Sequence, residues 1–303
     1  MTLDELGSSS KTVPFARIGS DRALTLQIQA RLQEIGILDG PPDGQFGPVS
    51  TWALGEFAKR ALGLALPTEL NDKVAQALRS ASTTDLFPLK PSSDFASRVV
   101  SAMLARGDRL CRHPEGRNIV YVDGTDVDGA ANENMHNKFQ DVRLVIRISE
   151  QGDPWIEGAW EATTEPGTHY VRTKKLDVRG AAHIVTGQYK AWSVGIHRAG
   201  TPGAHEALVQ TLPVKVSRDL DENFDPTGDK VFEGLFGINQ HCGYDFSRED
   251  VRTASAGCLV GRTRPGHSAF MKLCKADPRY QVNHGYRFIT SVLGFELIHE
   301  SLA

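Results

Sequence analysis
The sequence predicts an α+β fold: a small three-helix unit followed by a larger, mostly β domain with a few helices. Three observations carry this. Apolar residues recur at helical spacing between residues 22 and 80, short β-branched runs dominate beyond residue 117, and a Ser/Thr/Pro-rich stretch over 81–93 separates the two textures. A chain of 303 residues has room for about two domains. Hydrophobic residues at 40% and charged residues at 23% are ordinary for a globular protein, and no apolar run approaches the ~20 residues of a membrane helix. Membrane insertion is therefore not expected. The net charge of −3 leaves both sides of residue 91 near balance, so nucleic acid is not an expected partner. Four cysteines are too few for a disulfide scaffold, and free thiols are expected.

Residues 1–19 are polar and Ser-rich and read as a mobile tail. Leu24, Ile28, Leu32 and Ile35 line one face of a first helix that Gly36 stops. The loop LDGPPDGQFG leads to a second helix opened by Pro48 and carrying Trp52 and Phe57. Thr68 is the expected cap of a third, with Leu70, Val74 and Leu78 on one face. The three-helix unit spans 20–82 and a linker 83–93. The second domain, 94–303, opens with a helix over 94–106. The runs NIVYV, RLVIRI, WSVGI, LVQTLPVKV and YRFITSVL then predict strands, with one later helix over 265–276 burying Phe270 and Leu273.

Glycines that permit positive φ and an aromatic anchor, Phe46, define the first loop. Leu32, Gly36, Gly40, Asp43, Gly44, Phe46, Gly47, Thr51 and Phe57 resemble the repeat LQxxLxxxGxxxGxxDGxFGxxTxxAxxxF of the peptidoglycan-binding domain of cell-wall enzymes, over about residues 22–80. The resemblance implies a wall-binding unit, with Asp43 and Phe46 on its ligand side. The chain departs from the repeat at Ala58 and at Pro41 and Pro42.

Further along, GINQHCGYDFSREDVRTASAGCLVGR combines His241 with Ser255, Gly257 and Cys258. A nucleophilic thiol needs a base and backbone N–H groups for the developing oxyanion. His241 supplies a base. The small residues before Cys258 let backbone approach a carbonyl. This segment is similar to the signature of the L,D-transpeptidase (YkuD-like) family, in which a His precedes a Ser/Thr-His-Gly-Cys run. The His comes before the Cys, and seventeen positions separate them here. ATTEPGTHYV, residues 162–171, resembles the family's TPxGxF strand pair. The resemblance implies a β sandwich or barrel and a thioester mechanism on the peptide stem of peptidoglycan. Cys258 attacks, His241 moves the proton, Ser255 steadies the loop, and the Gly257 and Cys258 N–H groups hold the oxyanion. The family's second His is Ala256 here and its polar residue after the Cys is Val260, with Arg262 the substitute and Tyr244 a further substrate contact.

Release of the acyl group to an amine or to water leaves transpeptidase and peptidase both open, and a non-catalytic wall-binding protein is a further alternative. No secretory leader is recognisable at the N-terminus, so synthesis in the cytoplasm is expected, with action at the bacterial wall after release or export, as in an endolysin or an injected lytic effector. Cys111, Cys242 and Cys274 read as core thiols, and His183, His197 and His205 as structural or surface residues. No cofactor is expected. Asp219, Asp221, Asn223 and Asp225 alternate like the start of a calcium loop, but Phe224 and Lys230 replace its Gly and Glu, which favours a solvated acidic turn.

Overall fold
The computed structural model describes residues 1–65 and 67–299, and it corrects the expected mobile tail. Thr2 and Glu5 form a reciprocal capping box on α1 (Leu3–Gly7), which is followed by β1 (Val13–Pro14) and α2 (Phe15–Ile18). Leu3, Leu6, Phe15 and Ile18 are buried in the same core as the helices that follow. The Ser-rich composition around them conceals these anchors.

Helix α3 (Arg22–Ile35) buries Leu24, Ile28, Leu32 and Ile35, starts at an Asp21 cap and ends on Gly36 at φ +91°. Helix α4 (Pro48–Leu62) has Pro48 in its first turn. The third helix does not start at Thr68. Glu69 and Leu70 form β2 (Glu69–Leu70), paired with β1, and the Thr68 carbonyl accepts the Phe15 N–H at 2.8 Å. The cap is Asn71, whose side chain accepts Val74 N–H, and α5 (Asp72–Ser80) follows. The expected linker is packed: after α6 (Thr83–Leu86), Phe87 lies in the N-terminal core under the Arg60 guanidinium, 4.7 Å from its ring.

Helix α7 (Phe95–Arg106), capped by Asp94, opens the β-rich part. The strands are β3 (Asn118–Val122), β4 (Asp141–Ile148), β5 (Pro154–Thr163), β6 (Ala181–Ile184), β7 (Gly187–His197), β8 (His205–Gln210), β9 (Val214–Asp219), β10 (Val231–Gly234), β11 (Gln240–Cys242), β12 (Leu259–Gly261) and β13 (Phe288–Leu293). Eight close a barrel in the order β11-β12-β5-β4-β3-β13-β7-β8, and β10-β9-β6 form a separate sheet. The mixed α+β class expected from the sequence is the observed one. Helix α8 (Arg264–Lys275) buries Phe270 and leaves Leu273 half-buried, and α9 (Pro278–Val282) and α10 (Glu296–His299) complete the chain.

One buried cluster joins the helical unit to the barrel. Asp39, on the loop after α3, accepts Arg279 Nη1 at 2.6 Å and Tyr286 Oη at 2.5 Å, and Asp277 binds the same guanidinium. Burial acts to raise the Asp39 carboxyl, but Arg279, Lys190 and Tyr286 outweigh it and hold it below the usual carboxylate range.

Candidate active site
Strands β11 and β12 run parallel, with Gln240 opposite Leu259 and His241 opposite Val260. Side chains alternate across a strand, so Gln240 and Leu259 share one face while His241 and the position before Leu259 share the other. The first face is the barrel interior: Leu259 is in its core and Gln240 donates to Thr290 Oγ1 at 2.8 Å. The second face carries His241 and Cys258 into one cleft of about 550 Å³.

His241 is buried and neutral. Its Nδ1–H donates to the Cys242 carbonyl at 2.8 Å, which sets the tautomer and leaves Nε2 bare, buried and without a hydrogen-bond partner. His197 stacks on it, ring centroids 3.9 Å apart, and Asn239 Nδ2 donates to His197 Nδ1 at 3.0 Å. Burial and then the His197 neighbour hold the His241 imidazole well below its ordinary value, and burial pushes His197 down to about 4. Cys258 Sγ receives the Asn239 N–H and donates to the Gly237 carbonyl, both at 3.4 Å. Burial pushes this thiol up to about 11.

The turn before Cys258 is built by Ser255, whose Oγ donates to the Cys258 carbonyl at 2.9 Å and accepts Gly257 N–H at 3.1 Å. Gly257 sits at φ +116°, and a Cβ there would lie 2.4 Å from the Ala182 carbonyl oxygen. Its N–H is spent on Ser255, which corrects its expected role as a free oxyanion donor. Gly167 N–H donates to the Ser255 carbonyl at 2.9 Å, so residues 162–171 abut the site. They are not a strand pair: β5 ends at Thr163 and a π-helical turn covers His169–Thr173.

Arg262 does not face the cleft. Its Nε pairs with Glu161 and its Nη1 donates to Phe246 O at 3.2 Å. The cationic side chains lining the cleft are Arg179, Arg198 and Arg218, and its carboxylate is Asp177. Arg218 is buried with an unpartnered Nε, and its Nη2 lies 3.3 Å from Asp177. Tyr244 also lines the cleft. Sequence reasoning missed these arginines, along with His197 and Asn239. The arginines and His197 come from other loops and strands, with no spacing in the chain that couples them to His241, whereas Asn239 lies only two residues before it.

Asp43 and Phe46 lie in the helical unit, apart from this cleft. Asp43 Oδ1 accepts Gln29 Nε2 at 2.8 Å, and Gln29 Oε1 accepts the N–H groups of Asp43 and Gly44. Phe46 packs half-buried on the helical core. Asp43 also lines a cavity of about 340 Å³ with Lys190, Tyr286 and Arg287 of the barrel part. The acidic stretch folds as turns: Asp219 accepts the N–H groups of Asn223 and Phe224, Asn223 donates to Asp221, and Asp225 accepts Thr227 N–H. Those oxygens serve the loop itself, and the described residues contain no group of three or more metal-binding side chains. Among the described residues, no helix is long and apolar enough to cross a membrane. All four cysteines are free.

No family model and no curated relative matches the chain. Among solved structures, an L,D-transpeptidase from Xylanimonas cellulosilytica is similar over 88% of this chain and 92% of that one, at 12% identity and a TM-score of 0.21. A likeness of that size carries no argument about this site.

Proposed function
We propose that the protein is a cell-wall enzyme that uses Cys258 as nucleophile and His241 as base to cleave or exchange an amide bond in the peptide stem of peptidoglycan. The observation that supports this best is that Cys258 and His241 line one cleft, with the imidazole oriented by a backbone carbonyl. His241 takes the thiol proton as Sγ attacks the carbonyl carbon, a C–S bond forms, and the same proton passes to the leaving amine. A thioester remains, which an amine or water releases. The Cys258 N–H serves the oxyanion, and the arginines of the cleft favour a substrate that carries a carboxylate. The helical unit binds the wall through the Asp43 and Phe46 loop. An endolysin or an injected lytic effector is the same chemistry with water as acceptor.

A second reading, a wall-binding protein without turnover, is favoured by one observation: the Cys258 thiol donates to Gly237 O. Mass spectrometry of purified peptidoglycan incubated with the protein and with Cys258→Ala separates the readings. New muropeptides that vanish in the variant are expected. Unchanged peptidoglycan that co-sediments with the protein selects the binder.

A further inference from the structure
Behind the His241 wall lies a second thiol–imidazole couple, which the proposed reaction does not use. Cys242 Sγ is 3.4 Å from His205 Nε2. His205 Nδ1–H donates to the Gly203 carbonyl at 2.9 Å, so in the neutral ring Nε2 is the accepting nitrogen, and it also receives the Cys242 N–H at 3.4 Å. A nucleophile, a base and a group that orients the base are thus in sequence. The couple borders a separate pocket of about 330 Å³, whose lining includes Ala204, Arg264, His267, Ser268 and Met271. Arg264, paired with Asp245 at 2.5 Å, is the cationic side chain of that lining.

The four cysteines differ in the direction they are driven. Burial pushes Cys111 and Cys258 up to about 11, and raises Cys274 further. Burial acts to raise Cys242 too, but His205, then the Tyr244 backbone and last Arg264 outweigh it, and the net is a lowered value. His205 is raised in turn by the same contact. Cys242 is only 3% exposed, which restricts its reaction partners to small molecules.

We propose that Cys242, activated by His205, is an oxidation site for a small hydroperoxide that enters this second pocket. The thiol proton moves to His205 Nε2 and Sγ attacks the nearer peroxide oxygen. An S–O bond forms as the O–O bond breaks, and the departing hydroxide takes the proton from His205 to leave as water. Sulfur loses two electrons and the peroxide gains them, so one thiol and one hydrogen peroxide become one sulfenic acid and one water. The carbonyl of this same residue orients His241, which puts the oxidised side chain one residue from the base of the cleft.

The test uses the full-length chain carrying Cys258→Ser, so that the proposed nucleophile of the cleft is absent and its failure is scored separately. Hydrogen peroxide is added with dimedone, and adduct formation at each remaining cysteine is followed by peptide mass spectrometry. Labelling of Cys242 at least about tenfold faster than that of the core thiol Cys274 is expected. In His205→Gln, shown by circular dichroism to be folded, the Cys242 rate is expected to fall at least about tenfold. A Cys242 to Cys274 ratio below that, or a folded His205→Gln that labels as fast as its parent, overturns the proposal. If His205→Gln does not fold, the ratio in the parent decides.

Discussion
His241 can act as a base only while neutral, and burial, then the neighbouring His197, favour that form. An imidazole is neutral above its folded value, and that value is lowered here, so the base persists at pH values where a free His is charged. The acidic limb of a muropeptide-turnover profile is therefore expected well below pH 6.5. A limb at 6.5 or above removes His241 from the role. The thiol has the opposite bias: burial holds Cys258 up to about 11, so its alkylation by iodoacetamide is expected to keep accelerating above pH 9. His241→Gln is expected to lower turnover by about 10²–10⁴-fold with the fold intact by circular dichroism. Gly257→Ala forces a Cβ to 2.4 Å from Ala182 O at positive φ, and both turnover and thermal stability are expected to drop. That His241 and Cys258 line one cleft could be anticipated, because both lie within one short segment. His197 could not, because only the pairing of β7, β8 and β11 brings it over His241.

Among elements, the loop between α3 and α4 depends on one side chain. Gln29 is buried and spans the loop, donating to Asp43 Oδ1, Gln45 O and Ser50 Oγ and accepting two backbone N–H groups. Gln29→Ala strands these groups and is expected to cost about 1–3 kcal/mol in urea unfolding of the helical unit. An unchanged midpoint refutes that account. The glycine pattern of this loop was readable, since each turn constraint is local. Gln29 was not, because it occupies an ordinary helix position and acts across 14 to 21 residues. The N-terminal segment failed for a related reason. Composition averages over residues 1–19, whereas folding depends on four apolar side chains that meet α5 and the helical core.

For the whole molecule, the Asp39–Arg279–Tyr286 cluster is the buried polar joint between the helical unit and the barrel. Asp39→Ala leaves the buried Arg279 guanidinium with Asp277 as its one carboxylate partner and is expected to destabilise the protein by about 3 kcal/mol, read from thermal or denaturant unfolding. The Asp39 carboxyl is depressed in the folded state, so its contribution is fully present above the unfolded value near about 3.9 and is lost as pH falls through the folded one. The stability gap between the protein and Asp39→Asn is expected to narrow below about pH 4. A constant gap refutes the linkage. Periodicity and turn chemistry within the chain were enough for the α+β class and the helices α3, α4 and α7, because these depend on neighbours a few residues apart. Barrel closure, the arginines of the cleft, the Cys242–His205 couple and the Asp39 joint were decided only by tertiary structure. Each needs groups tens to hundreds of residues apart to be desolvated together, and no local pattern in a sequence records that.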